Sequence, residues 1–195
     1  MCGIVGYVGE QPALDVIRQG LRRLEYRGYD SAGVAVLGPD GLAIERRAGK
    51  LANLDAALVG QNLPGTLGIG HTRWATHGAP TDRNAHPHTD CTGSIAVVHN
   101  GTIENFAELR EGLEQRGHEL TSDTDTEAVA HLIEEAYDAA AGDLASAVRT
   151  VCRDLDGSFV LVVAHRQAPD LVVGRGATCR SLSVSERART SSPAT

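Results

Sequence analysis

The pattern of apolar and polar positions along the chain predicts strands, then helices, then strands. Short apolar runs bounded by turn residues are typical of strands, and they occupy 2–8, 31–37, 42–47, 66–72, 94–99, 158–164 and 171–173. Apolar residues at helical spacing predict helices at 12–24, 51–59, 104–116, 124–141 and 144–153. This order favours an α+β layered domain over a regular alternation of strand and helix.

Local signals refine this pattern at three places. The turn residues at 38–41 predict that the second and third strands form a hairpin. The dipeptide Asn100-Gly101 is expected to end the fifth strand, and Ser122 or Asp123 is placed to cap the helix at 124–141.

Residues 73–91 carry no periodicity and are rich in His, Thr, Asp and Pro. A long irregular stretch inside a compact domain is more often functional than idle.

Bulk composition excludes several classes of protein. The chain has 195 residues, which is enough for one domain with a sizeable core, and 42% of them are hydrophobic. Its net charge of -7 offers no global basic field, so neither nucleic acid nor an anionic membrane is expected as a partner. The N-terminal sequence resembles neither a signal peptide nor a membrane span. The four cysteines form no CxxC pair, and the cytoplasm is the expected compartment.

Cys2 is the sharpest chemical feature of the sequence. A small residue after Met1 permits removal of that methionine, which would leave one residue carrying both a thiol and a free α-amine. The α-amine has an ordinary pKa of about 7.7 to 8.0, so it can take the thiol proton near neutral pH. Nucleophile and base would then belong to the same residue. Taken alone, however, Cys2 is more often a small buried side chain in a strand.

Six blocks of sequence change that balance. They are CGIVGYVG at 2–9, LEYRGYDSAG at 24–33, HTRWATHG at 71–78, NAHPH at 84–88, VVHNG at 97–101 and SDTDTE at 122–127. Together, in this order, they resemble the class II glutamine amidotransferases, an N-terminal-nucleophile family. The sequences YRGYDSAG at 26–33, HTRWATHG at 71–78 and AHPH at 85–88 are most similar to the glutaminase domain of the glutamine–fructose-6-phosphate aminotransferases, also called glucosamine-6-phosphate synthases. The resemblance covers residues 2–174.

The resemblance implies a fold and a reaction. The fold would be the four-layer αββα architecture of N-terminal-nucleophile hydrolases, with Cys2 at the start of an inner strand. The reaction would be hydrolysis of L-glutamine to glutamate and ammonia through a γ-glutamyl thioester on Cys2. In the complete enzymes of this family the ammonia aminates fructose-6-phosphate, which binds to separate isomerase domains, and the enzymes are homodimers.

Asn100 and Gly101 are the candidate oxyanion donors. A side-chain amide and a glycine N–H can stabilise the anion that forms when a thiolate attacks a carboxamide. The dipeptide alone favours a hairpin turn over an oxyanion role. The resemblance assigns the oxyanion role to both residues, which complete the catalytic set with Cys2.

The resemblance also assigns residues that would bind glutamine. Arg73 is suited to a bidentate grip on the α-carboxylate, and Thr76 and His77 would contact the same group. Trp74 would cover the site. Asp125 would pair with the α-ammonium, although a carboxylate there could simply begin a helix. The block around Asp125 has Asp123 where the family often has Glu.

Further residues are expected to surround the nucleophile. Arg27, Tyr29 and Asp30 belong to the second block, and His86 and His99 are expected to hold the pocket in shape. The histidines around His86 could also bind a metal ion, but no Cys or acidic residue stands at the spacing from them that metal ligands usually have. No metal and no cofactor are therefore expected.

The sequence after Gly174 departs from the family. Residues 175–195 are polar and basic, and we interpret them as an aberrant or disordered tail without strand or helix period. When the codons for 174–192 are read from their third base, high-GC choices give a sequence close to the family's continuation. This suggests that one base is lost near Gly174. The isomerase domains are expected to be absent from this chain.

Two other interpretations remain open at this point. The domain could serve another acceptor, such as phosphoribosyl pyrophosphate. The chain could also be a non-catalytic remnant, because losing its closing strands would expose a sheet edge. We therefore expect that the 195-residue chain hydrolyses glutamine weakly or not at all.

Overall fold

Two antiparallel sheets and five α-helices make up the described part of the chain. The computed structural model describes residues 2–27, 30–75, 78–178 and 181–185. The strands are β1 (Gly3–Val8), β2 (Ser31–Gly38), β3 (Gly41–Ala48), β4 (Leu67–Arg73), β5 (His88–Thr89), β6 (Ile95–Ile103), β7 (Gly157–His165), β8 (Val172–Thr178) and β9 (Ser181–Ser185). The helices are α1 (Ala13–Leu24), α2 (Leu51–Ala57), α3 (Phe106–Gln115), α4 (Asp125–Ala139) and α5 (Leu144–Asp154), with a 3₁₀ turn at Glu25–Arg27.

The first sheet has the strand order β1-β4-β2-β3, and α1 and α2 cover its outer face. The apolar residues of α1 recur every four positions, so Ala13, Ile17 and Leu21 lie on one face and are fully buried. Leu51 and Leu54 of α2 pack in the same cluster. Full burial of each such leucine or isoleucine contributes about 1.5 to 3 kcal/mol to folding.

The second sheet has the order β5-β6-β7-β8-β9, and α4 and α5 cover its outer face. Helix α5 begins with a side-chain cap, because Asp143 accepts hydrogen bonds from the N–H groups of Ala145 and Ser146. The two sheets meet in a third apolar cluster that draws residues from both of them, including Ala35 and Ile69 from the first and Ala96 from the second. The layers are therefore helix, sheet, sheet and helix, which confirms the predicted four-layer αββα architecture.

The structure corrects two local predictions. Strand β6 does not end at Asn100-Gly101 but continues to Ile103, because Asn100 and Gly101 pair with Val160 and Phe159 of β7. Neither Ser122 nor Asp123 caps α4. Its N-cap is Thr124, without a side-chain cap hydrogen bond. The chain before the helix is instead held by Glu127, a residue of the first turn.

Glu127 acts as an anchor for the segment before α4. Its carboxylate accepts hydrogen bonds from the backbone N–H groups of Thr121 (2.8 Å) and Ser122 (2.6 Å) and from the Thr121 hydroxyl. Burial alone would raise the pKa of Glu127, but the hydrogen bonds from Ser122 and Thr121 outweigh it and lower that pKa. The anchor fixes the position at which Asp125 enters the helix.

The chain after Gly174 also differs from the prediction. We expected a strand at 171–173 and no regular structure beyond it, yet β8 runs to Thr178 and β9 pairs with it. Backbone pairing with β7 needs no apolar side chains, so polar residues can continue a strand. Residues 181–185 also alternate serine with leucine and valine, a period-two pattern that is typical of a strand. Among the helices of the described residues, none has both the length and the apolar character needed to cross a membrane.

Candidate active site

Cys2 lies one residue before β1, next to the end of β4. Its Sγ accepts a hydrogen bond from the backbone N–H of Trp74 at 3.1 Å, and the Trp74 carbonyl oxygen lies 3.5 Å from the same sulfur. The register of β1 and β4 explains this closeness, since Gly3 pairs with Thr72. The thiol is only partly buried, so a substrate in the adjacent cavity can reach it.

Asn100 reaches Cys2 from the second sheet. Its side-chain Nδ2 donates to the Cys2 carbonyl oxygen at 3.3 Å, and its Oδ1 lies 2.8 Å from Nε2 of His71. An amide oxygen can only accept, so His71 must carry its proton on Nε2 and donate it. Burial lowers the pKa of His71 to about 3, which keeps this imidazole neutral. His71 therefore fixes the orientation in which Asn100 presents its N–H groups.

Gly101 follows Asn100 in the interior of β6, and its backbone requires a glycine. Its φ is 112°, a region that side chains rarely adopt. A Cβ at this position would lie 2.0 Å from the carbonyl oxygen of Ser158 on the paired strand. The absence of a side chain lets β6 pass close to β7 while it lines the cavity beside Cys2.

Arg73 and Asp125 bring opposite charges to the same cavity. Both are buried, Arg73 from the end of β4 and Asp125 from the first turn of α4. Burial lowers the pKa of Arg73, while the negative charges of a Cys2 thiolate and of the Asp125 and Asp30 carboxylates oppose that shift. One carboxylate oxygen of Asp125 accepts the backbone N–H of Ile103 at 3.1 Å, which ties α4 to the end of β6.

His86 and His99 form a hydrogen-bonded layer behind Asp125. His86 Nδ1 accepts the backbone N–H of His99 at 3.4 Å, so His86 Nε2 carries the proton and donates to Thr126 Oγ1 at 3.0 Å. Nδ1 of His99 lies 3.0 Å from the same hydroxyl and 3.6 Å from Asp125. Burial holds the pKa of His86 well below its usual range. Both nitrogens of His86 are thus used in hydrogen bonds rather than offered to a metal.

Asp30 holds the loop that follows β4. Its carboxylate accepts the backbone N–H of Ala75 at 2.9 Å, and its own N–H donates to the Arg73 carbonyl oxygen at 3.0 Å. Through these bonds it positions the backbone on either side of Trp74, a residue that is 47% exposed and lines the cavity. The described part of the chain does not include Thr76 and His77, which were predicted to contact the substrate. It also does not include Tyr29 or the side chain of Arg27, which were predicted to surround the nucleophile.

One cavity of about 440 Å³ collects most of the predicted site. Its lining includes these residues from the sequence prediction: Cys2, Arg73, Trp74, His86, His99, Asn100, Gly101 and Asp125. It also includes His71 and Thr102, to which no role was assigned. His71 sits two residues before Arg73 on β4, so the two side chains belong to the same face of the strand, and this spacing is the signal by which the sequence could have indicated His71.

The cavity combines four chemical functions. It has a thiol, an amide donor held in one orientation, a guanidinium and a carboxylate within one pocket. A guanidinium and a carboxylate side by side match the two charges of an amino acid's α-carboxylate and α-ammonium. A thiol beside fixed N–H donors matches attack on a carbonyl group.

Comparison with known proteins agrees with this arrangement. The family described as "Glutamine amidotransferase domain" matches residues 71–189. The chain is 67% identical over 175 residues to the glutamine–fructose-6-phosphate aminotransferase (isomerizing) of Streptomyces coelicolor, covering 89% of the chain and 28% of that protein. It is 57% identical to the enzyme of the same name from Thermus thermophilus, again over 28% of that protein. The chain thus spans less than a third of these relatives.

Solved structures share the fold. The glutamine phosphoribosylpyrophosphate amidotransferase from B. subtilis superposes with a TM-score of 0.73 at 24% identity, covering 90% of this chain and 37% of that one. At this identity the likeness concerns the fold alone. The matched family, the curated relatives and the shared architecture lead to one conclusion: the chain belongs to the glutamine amidotransferase domain family.

Proposed function

We propose that this domain hydrolyses L-glutamine to glutamate and ammonia, with Cys2 as the nucleophile. The observation that carries the proposal is the convergence of Cys2, Asn100, Arg73 and Asp125 on one cavity. Cys2 and Arg73 come from the first sheet, whereas Asn100 and Asp125 come from the second sheet and its helix. Separate layers of the fold therefore supply the nucleophile, the oxyanion donor and the two charged groups that would bind the α-carboxylate and α-ammonium. A site for glutamine needs all four in one cavity.

The substrate would be held at its head group. Arg73 would bind the α-carboxylate through two parallel N–H donors, and Asp125 would bind the α-ammonium. Trp74 at the cavity mouth would limit access of bulk water. Thr76 and His77 would add contacts to the carboxylate, as the family resemblance implies. These contacts leave the side-chain carboxamide directed towards Cys2.

The first half of the reaction would form a thioester. After removal of Met1, the α-amine of Cys2 takes the thiol proton, and the thiolate attacks the carboxamide carbon of glutamine. The second N–H of Asn100 and the backbone N–H of Gly101 stabilise the oxyanion. The carbon–nitrogen bond then breaks, and the nitrogen leaves as ammonia with the proton held by the α-ammonium of Cys2.

The second half would hydrolyse that thioester. Water enters the position that ammonia has left, and the α-amine of Cys2 removes its proton as it attacks. The same donors, Asn100 and Gly101, stabilise the second oxyanion. The carbon–sulfur bond breaks, glutamate leaves, and the proton returns to the thiolate. His71 contributes by keeping the Asn100 amide in place through both halves.

The acceptor of the ammonia is proposed to be fructose-6-phosphate. The support is the identity of 67% and 57% to two enzymes named for that acceptor. In such an enzyme the sugar phosphate would bind to isomerase domains, and the protein would be a cytoplasmic homodimer. Phosphoribosyl pyrophosphate is the rival acceptor, named in a structure that shares the fold at 24% identity. An acceptor screen with the full-length gene product separates the two.

Thiol labelling tests the glutaminase proposal itself. In the full-length gene product, a glutamine-analogue electrophile should label Cys2 stoichiometrically, and mass spectrometry of the N-terminal peptide should show that Met1 is gone. The variant Cys152→Ser is the matched control, because Cys152 is a partly buried cysteine of α5 outside the cavity. It should be labelled as the parent is. Absence of label on Cys2 in the folded parent protein would contradict the proposal.

A further inference from the structure

A second cluster of potential ligands lies outside the active-site cavity. It consists of Cys91, His118, His131 and Glu134, whose ligand atoms all lie within 4.8 Å of one another. Cys91 follows β5, His118 follows α3, and His131 and Glu134 stand one turn apart on α4. The cluster therefore joins three segments that are distant in the sequence.

The distances within the cluster match those between the ligands of one metal ion. Cys91 Sγ lies 3.2 Å from Nδ1 of His118 and 3.3 Å from Nδ1 of His131. Glu134 Oε2 lies 3.6 Å from His118 Nδ1 and 3.5 Å from His131 Nδ1. Zinc bonds of about 2.0 to 2.3 Å in a tetrahedron separate neighbouring ligand atoms by roughly 3.3 to 3.6 Å.

An independent observation concerns the far side of the His118 ring. Its Nε2 lies 3.0 Å from Oε1 of Glu135, which also accepts a hydrogen bond from Arg116 at 2.7 Å. A carboxylate accepts, so Nε2 of His118 carries the proton and Nδ1 directs its lone pair into the cluster. This carboxylate–histidine arrangement is the one that orients histidine ligands in metal sites.

Hydrogen bonds can satisfy the thiol of this cluster in only one arrangement. Cys91 has one thiol proton to donate, so one Nδ1 atom within 3.3 Å of its sulfur accepts and the other must itself carry a proton. Since Nδ1 of His118 faces the cluster without a proton, that proton falls on Nδ1 of His131, and the buried Nε2 of His131 then has no hydrogen-bond partner among the described residues. A divalent cation would receive electron pairs from both imidazoles, from a thiolate and from the Glu134 carboxylate. Its two positive charges would balance the two negative ligands, and the ligation would release the thiol proton.

We propose that Cys91, His118, His131 and Glu134 bind one zinc ion as a structural site. A thiolate with two imidazoles and a carboxylate is a donor set that suits zinc, and four protein ligands close a tetrahedral shell. None of the four lines the cavity around Cys2, so the ion takes no part in the chemistry there. Cys91 is exposed, which gives the ion a path of entry.

The role of the ion is to fix α4 and the loop before it. His131 and Glu134 lie on the helix that carries Asp125 at its first turn, and His118 lies on the segment that leads into that helix. The expectation of no metal rests on ligand spacing around the histidines at 71–99. The four residues of this cluster show no such spacing, because they come from three segments distant in the sequence.

Metal analysis of the purified 195-residue chain tests the proposal. We expect about one zinc per chain after expression in zinc-supplemented medium. Cobalt(II) added to chelator-treated protein should give a thiolate-to-cobalt charge-transfer band and the intense visible bands of a tetrahedral site. The variants Cys91→Ser and His131→Asn should reduce zinc content at least about tenfold, and Glu135→Gln should weaken zinc affinity by roughly 10- to 100-fold.

The control is Cys152→Ser, which removes a cysteine outside the cluster and should retain zinc as the parent does. Peptide mapping of alkylated protein adds a readout that needs no variant: zinc should protect Cys91, and a chelator should expose it. A parent protein that folds but takes up neither zinc nor tetrahedral cobalt would overturn the proposal, as would equal zinc content in Cys91→Ser. Neither result depends on glutaminase activity, so the proposed function is tested separately.

Discussion

Replacing His71 separates a positioning role from a purely structural one. In the structure, His71 Nε2 donates to Asn100 Oδ1 at 2.8 Å, and the ring is fully buried. The amide nitrogen of a glutamine side chain can occupy the position of a histidine Nε2, whereas that of asparagine is too short to reach it. His71→Gln should therefore keep the donor, and His71→Asn should lose it.

The expected loss has two parts. Leaving the buried Asn100 oxygen without its donor costs about 1 to 3 kcal/mol of stability. Complete loss of an oxyanion donor costs about 10²- to 10³-fold in kcat, and a loosened amide should cost part of that, roughly 10- to 100-fold. KM for glutamine should change little, because Arg73 and Asp125 are proposed to hold the head group and the oxyanion exists only in the transition state.

The assay is glutamate release at several glutamine concentrations, together with thermal unfolding of each variant. His88→Asn is the matched control. His88 is also a buried histidine whose pKa burial lowers to about 3, and it bonds Thr124 Oγ1 at 2.9 Å, but it does not line the cavity. It should lose stability and keep kcat. Equal kcat values for His71→Asn and His71→Gln would refute the positioning role.

Four further predictions follow from the site and the chain. Cys2→Ala should abolish glutamate release with little change in Tm, and activity comparable to the parent would overturn the assignment. Arg73→Lys should raise KM for glutamine by roughly 10- to 100-fold, because one point charge replaces two donors worth about 1.5 to 3 kcal/mol each, and an unchanged KM would remove it from the pocket. Stability should fall as the pH drops from 6.5 towards 3, because unfolded His71 binds a proton that the folded protein excludes. This single group costs about 2 kcal/mol by pH 5 relative to pH 8, to be measured by urea unfolding. Restoring one base near the codon for Gly174 should raise both Tm and glutamate release; equal values for both forms, or a clean reading frame in the DNA, would contradict the frameshift interpretation.

Patterns of local origin predicted the fold well. The hairpin of β2 and β3 and the apolar face of α1 follow from turn residues and from periodicity, and both are found as expected. The prediction that the fifth strand ends after His99 was wrong. Residues 100–102 remain in β6 only because they pair with β7. Pairing of that kind depends on a partner more than 50 residues away, which no local window contains.

The candidate site was proposed largely from the family resemblance, and there are physical reasons why some residues of the cavity could not be proposed from the sequence. The resemblance proposed Cys2 and Arg73, and the structure brings them to one cavity. The role of His71 depends on which ring nitrogen faces Asn100, and a sequence carries no information about ring orientation. The zinc ligands come together only when the β5–β6 connection, the residues after α3 and helix α4 have packed.

The candidate site is divided between two sheets, so the apolar layer between the sheets sets the distance between its residues. Cys2 precedes β1, the edge strand of one sheet, and Asn100 lies within β6 of the other, so their separation depends on how closely the sheets stack. The apolar side chains at the contact, among them Ile69 from one sheet and Ala96 and Val98 from the other, set the thickness of that layer. The packing that stabilises the domain thus also sets the distance between Cys2 and Asn100. A bound glutamine would contact residues of both sheets and so act as a removable crosslink between them.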